Sequence, residues 1–155
     1  MNLYGIPSGQ GALIFSSNIP VVTAVRIATE TSGGDYGTFA NAMDATTGIV
    51  AGTPGIGIGL PQTSTRSGNL VLYNAGGAGT VTVTAFKADG SLAGTLTVPM
   101  GAQSSAVVDA VYSKVGVTNQ NAGRVRLDVD GGMRVFGWSA DVDLVTGDID
   151  LTPLR

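Results

Sequence analysis

The chain has 155 residues, 43% of them apolar and only 12% charged, with 24 glycines, no cysteine, no histidine and a net charge of −3. This length can bury a core of one domain's size. The missing residue types exclude thiolate nucleophiles, His-dependent triads and zinc sites built on Cys or His. Eight basic residues against eleven acidic ones give no basic footprint for nucleic acid, and no apolar run approaches the roughly 20 residues of a membrane helix. The composition, rich in Gly, Thr, Val, Ala and Ser, suits strands and turns and suits helices poorly.

In chain order, residues 1–10 read as an N-terminal extension. They lack the charged and apolar regions of a secretory leader. "GALIFSS" (11–17) and "PVVTAVRIATE" (20–30) read as two strands around the turn Asn18-Ile19-Pro20. Residues 31–55 lose periodicity and read as a long Gly-rich loop with one helical turn at Phe39–Met43. "IGIGLP" (56–61) is a short strand weakened by glycine. "NLVLYN" is a strand, "AGGAG" (75–79) a hairpin loop, and "TVTVTAFK" sets Val81, Val83 and Ala85 against Thr80, Thr82 and Thr84. Ala88-Asp89-Gly90-Ser91 carries the Asp-Gly signal of a tight hairpin, with "SLAGTLTVP" returning as its partner strand.

"QSSAVVDAVY" starts extended and then meets Asp109, the expected N-cap of a short helix ending at Gly116. "GRVRLDVD" (123–130) and "MRVFGWSADVD" (133–143) read as an alternating pair across Asp130-Gly131-Gly132, and a last strand follows at 148–152. About nine short strands with one short helix near 109–116 predict an all-β fold. The expected form is an antiparallel β-sandwich, jelly-roll or Ig-like, occupying 1–155 as a single domain. Residues 11–30 also overlie 123–142 at a constant shift of 112, which suggests two related hairpins.

The densest chemistry is "ADVDLVTGDID" (140–150), with Asp141, Asp143, Asp148 and Asp150. A helical calcium loop needs oxygens at alternate positions, a central glycine and a distal Glu. Here Val145 stands at a ligand position and no Glu follows. Asp141 and Asp143 share one strand face about 7 Å apart, a spacing compatible with a carboxylate pair. The preferred reading puts both on the solvent face with Val142 and Leu144 inward, and Thr146-Gly147-Asp148 making the reversal. A weak calcium site on Asp141, Asp143 and Asp148 is the minority alternative.

"GIGIG" (55–59) lacks nucleotide-loop spacing and a following helix, "AGGAG" lacks the P-loop Lys and Ser/Thr, and Ser104 and Ser105 have no base in register. Phe136 and Trp138 lie two apart on one face, a spacing more often found in a core than in a ligand platform. Tyr36 and Trp138 are the candidate ligand-contacting aromatics.

From residue 57 onward the order of features resembles an uncharacterised β-sandwich module repeated in large secreted bacterial proteins. The resemblance rests on "GLPQTSTRSGNLVLYN", "GTVTVTAFKADGSLAGTLTVPMGAQ", "VVDAVYSKVGV" and "GRVRLDVDGGMRVFGWSADVDLVTGDIDLTP". It covers 57–153, while residues 11–40 are similar to the closing hairpin of another such unit. "NAGGAG" and Met100 depart from the family's turn prolines and leave the strand plan intact. The resemblance implies an extracellular or cell-surface setting, no catalytic residues and a structural or adhesive role. The expected partners are further copies, neighbouring domains of a larger protein or a surface polysaccharide, with assembly into an array or filament through edge strands. A carbohydrate- or calcium-dependent binding module is the second expectation.

Overall fold

The computed structural model describes residues 12–31 and 34–155, with the side chains of residues 27–36 outside the description. The described residues are nearly all-β and antiparallel, with ten strands against the nine expected. In order these are β1 (Ala24–Thr31), β2 (Gly34–Asn41), β3 (Gly55–Ile58), β4 (Arg66–Asn74), β5 (Gly79–Phe86), β6 (Leu92–Met100), β7 (Ser104–Val108), the one-turn helix α1 (Val111–Lys114), β8 (Arg124–Val129), β9 (Val135–Asp143) and β10 (Ile149–Pro153). Strands β3 to β10 form two four-stranded sheets, ordered β10-β9-β4-β7 and β3-β8-β5-β6, and β1 and β2 form a separate hairpin.

Alternation explains the sandwich. Leu70 and Leu72 of β4, with Val135 of β9, face Val81 and Val83 of β5 and Val125 and Leu127 of β8, and all are buried. Their removal from water is the main driving force for joining the two sheets. β3 reverses the usual pattern. Its glycines point inward and Ile56 and Ile58 point out, because the space behind it is filled by other side chains. A Cβ on Gly57 would meet Leu154 at 2.8 Å and Val125 at 2.9 Å.

Several expectations are corrected. Residues 12–17 form no strand, and the hairpin expected with 20–30 is instead β1 with β2. Part of the expected 31–55 loop is therefore strand, and Phe39 lies in β2 rather than in a helical turn. "AGGAG" and Asp130-Gly131-Gly132 do not close hairpins. β4 and β5 lie in different sheets, as do β8 and β9, so both turns carry the chain across the sandwich. The Asp89-Gly90 turn does close the β5–β6 hairpin, with Gly90 at φ 84°. Asp109 is not an N-cap. Ala110 holds that position at φ 48° without a side-chain cap, and its N–H donates to Asn69 Oδ1 at 2.8 Å. The helix is held from below instead, by the buried Val111 and Tyr112.

On one side the sheets are joined at their rims. Ile56 and Arg155 exchange backbone hydrogen bonds in both directions. On the other side β6 and β7 end their sheets, and neither has a strand on its outer flank among the described residues. There Leu96, Val98 and Ala106 are only partly buried although they pack on the core.

Candidate functional site

The aspartate cluster sits where β9 runs past the end of the sandwich. β9 pairs with β4 without a register break, Gly68 opposite Asp141 and Arg66 opposite Asp143. Parity carried along from the inward Val135, Gly137 and Ser139 places Asp141 and Asp143 on the core side of the sheet, beyond the core itself. Val142 falls on the outer side and Leu144 is exposed, the reverse of the sequence expectation.

Asp141 is half-buried and forked by Arg66, with Nε to Oδ1 at 3.0 Å and Nη2 to Oδ2 at 2.5 Å. Burial pushes its carboxyl above the usual carboxylate range, Arg66 works against that, and Asp150 and Asp143 add to the rise. Protonation is thus favoured in the folded state. Asp141 contributes most to stability below its unfolded pKa, and that contribution falls as pH rises through the folded value. Replacing Arg66 by Ala is expected to move the Asp141 titration further up, read by carbon-detected NMR of the side-chain carboxyl. A downward or absent shift would show that the fork does not favour the charged form.

Asp143 serves the turn. Its Oδ1 accepts from Val145 N at 2.8 Å and Thr146 N at 3.0 Å, and these bonds hold its carboxyl below the usual range. Gly147 adopts φ 80° and donates to Asp143 O, closing the β9–β10 hairpin. Asp148 is exposed; its Oδ1 accepts from Ile149 N at 3.1 Å and its backbone O accepts from Asp143 N at 2.9 Å. The expected reversal at Thr146-Gly147-Asp148 is present, with Asp143 rather than Asp148 as the principal acceptor. No three acidic side chains converge on a metal-sized space among the described residues. The carboxylates of Asp141 and Asp143 are already engaged by protein donors.

No family model, curated protein or solved structure matches this chain.

The aromatic candidates separate. The side chain of Tyr36 lies outside the described residues. Trp138 is partly exposed on the outer face of β9, two residues from Phe136, so the pair is not core. Opposite them in register stand Val71 and Tyr73 of β4, and Val107 of β7 continues the row. The outer face of this sheet is therefore an apolar strip. Tyr73, Val71 and Val107 belong to it only through strand pairing, and no local sequence signal links them to Trp138. Phe136 is tucked under the loop before β3, where a Cβ on Gly48 would meet its ring at 2.7 Å. Trp138 stands free of that cover, beside Pro153 of β10.

Arg66 likewise carries no local sequence signal. It lies 75 residues from Asp141 and meets it only because β4 and β9 pair. A shallow groove at the β5–β6 turn, lined by Ile58, Lys87, Asp89 and Arg124, holds opposite charges without convergence. Asp89 there is spent on its own turn, accepting from Ser91 N at 2.9 Å and Ser91 Oγ at 2.7 Å.

Proposed function

We propose that this chain is a non-enzymatic structural or adhesive module of the cell exterior that assembles with copies of itself through its sheet edges. One observation carries this reading. Among the described residues β6 and β7 have open outer flanks, and neither "LAGTLTVPM" nor "SSAVV" contains a charged residue. Open edges are ordinarily blunted by charges, bulges or cover, because their free N–H and C=O groups recruit foreign strands. β6 is blunted only by Pro99 near its end and by a bulge at Ala93 near its start, and β7 has neither a proline nor a register break. Sparse surface charge also lowers the repulsion between copies. Sedimentation velocity from micromolar to millimolar chain is expected to show concentration-dependent larger species. A single monomer peak throughout would remove the assembly reading.

A second reading, polysaccharide binding, is favoured by Trp138, partly exposed in the outer apolar strip, since an accessible indole face stacks on sugar rings. Titration calorimetry with soluble bacterial polysaccharides, with and without calcium, is expected to give heat that Trp138→Ala abolishes. Flat traces for the unmutated chain would discard that reading.

A further inference from the structure

Residues 12–22 are an exposed, uncharged, apolar segment that nothing among the described residues covers. Leu13 is 58% exposed, Ile14 74%, Phe15 57% and Val22 100%. Such a run in water is costly at about 25 cal/mol per Å² of apolar surface, and a contiguous patch of this kind marks an interaction site. Its sequence is that of a strand. Shifted by 112 residues, 24–31 falls on 136–143 inside β9, and 12–17 falls on 124–129, the whole of β8. In that alignment Leu13 and Phe15 take the places of Val125 and Leu127, both fully buried. β8 has a strand on each side, β5 and β3, whereas 12–17 has none among the described residues.

From these observations we propose that residues 12–17 of one chain are donated as an added strand to the open flank of β7 in a second copy. The inference rests on the edge-assembly reading and names its donor and acceptor.

The dimensions agree. Six extended residues span about 20 Å and the five of β7 about 17 Å. Side chains fit by alternation: Leu13 and Phe15 turn inward to cover the half-buried Ala106 and, across the mouth of the sandwich, Leu96 and Val98. Ile14 then lies on the outer strip beside Val107 and Val71. Main-chain hydrogen bonds supply affinity and the alternate apolar side chains supply register. β7 is preferred over β6 because it carries no proline. Each chain has one donor and one acceptor, so donation in one direction builds rings or filaments, and reciprocal exchange closes a two-fold dimer.

The absence of cysteine allows a direct test. Ser16→Cys chain is mixed under mild oxidation with Ser105→Cys or Val107→Cys chain, and with Ser91→Cys chain as a control at the β5–β6 turn. Disulfide heterodimer with the β7 variants is expected in about tenfold excess over the control, the yield ratio of a contact favoured by about 1.4 kcal/mol. Equal yields would overturn the proposal, as would an intramolecular disulfide dominating in dilute Ser16→Cys/Ser105→Cys double variant. Leu13→Asp/Phe15→Asp, changed only at exposed positions, is expected to weaken association at least tenfold. Assembly unchanged in that variant would overturn strand donation while leaving edge assembly standing. Monomer alone in the unmutated chain would overturn both.

Discussion

Asn74→Ala is expected to lower the free energy of unfolding by about 3 kcal/mol, one of the largest losses available from a single polar side chain here. Asn74 is fully buried at the end of β4. Its Nδ2 donates to Gly77 O at 2.7 Å and Gly101 O at 2.9 Å, and its Oδ1 accepts from Gly76 N at 3.0 Å and Arg134 N at 3.3 Å. One amide therefore ties the β4–β5, β6–β7 and β8–β9 connections together. These are three of the links that carry the chain from sheet to sheet. Truncation leaves up to three backbone groups without partners, since Gly101 O keeps the bond from Ser104 Oγ, each costing about 1–3 kcal/mol where water cannot reach. Asn74→Asp keeps the shape but sets a carboxylate oxygen against two carbonyls, so it is expected to cost at least as much. Urea denaturation midpoints measure both. A loss below about 1 kcal/mol for Ala would show that water takes over the amide's bonds.

The strand plan was legible because its strongest signals are local. The Asp89-Gly90 turn, the Val/Thr alternation of β5 and the Gly147 reversal are each decided by a few neighbouring residues. Which strands pair is not local. A Gly-rich turn between two alternating runs reads the same whether the runs join one sheet or cross to the other. β4 and β8 were thus paired with their sequence neighbours, although β4 pairs with β9 and β7, and β8 with β5 and β3. Asn74 gave no sign of tying the crossings together, because its four partners are assembled only by those crossings.

Facing went wrong for a related reason. Reading which side of a strand is buried from hydrophobicity assumes that only one side is apolar. In β9 the inner positions are Val135, Gly137 and Ser139, while the outer ones include Phe136, Trp138 and Val142. The larger apolar residues are on the outside, so Asp141 and Asp143 were assigned to solvent and Phe136 and Trp138 to the core. The small inner residues are needed because Leu154 and the backbone of β3 fill the space behind them. The same inversion in β3, with glycines in and isoleucines out, has the same cause. The outer apolar strip and the open flank of β7 follow from pairing alone.

That crowding makes the second large effect, and two glycines separate its components. Gly137→Ala is expected to cost about 3 kcal/mol, since the new Cβ would collide with the carbonyl oxygen of Val71 on the paired strand as well as with Leu72 Cδ2 at 2.9 Å. A carbonyl in a sheet ladder cannot rotate away, so the backbone must shift. Gly57→Ala meets only side chains closely, Leu154 and Val125, and is expected to cost about 1–2 kcal/mol. Leu154→Ala opens space for that methyl group, so the Gly57/Leu154 double-mutant cycle should show favourable coupling of about 1 kcal/mol. The Gly137/Leu154 cycle should stay within about 0.5 kcal/mol of additivity, because the Val71 carbonyl remains in place when Leu154 is trimmed. For a chain of this size each kcal/mol moves Tm by about 2–4 °C, so calorimetry resolves the difference. Equal coupling in the two cycles would mean that the Val71 carbonyl yields as readily as a side chain, and that the pairing of β4 with β9 is softer than its unbroken register implies.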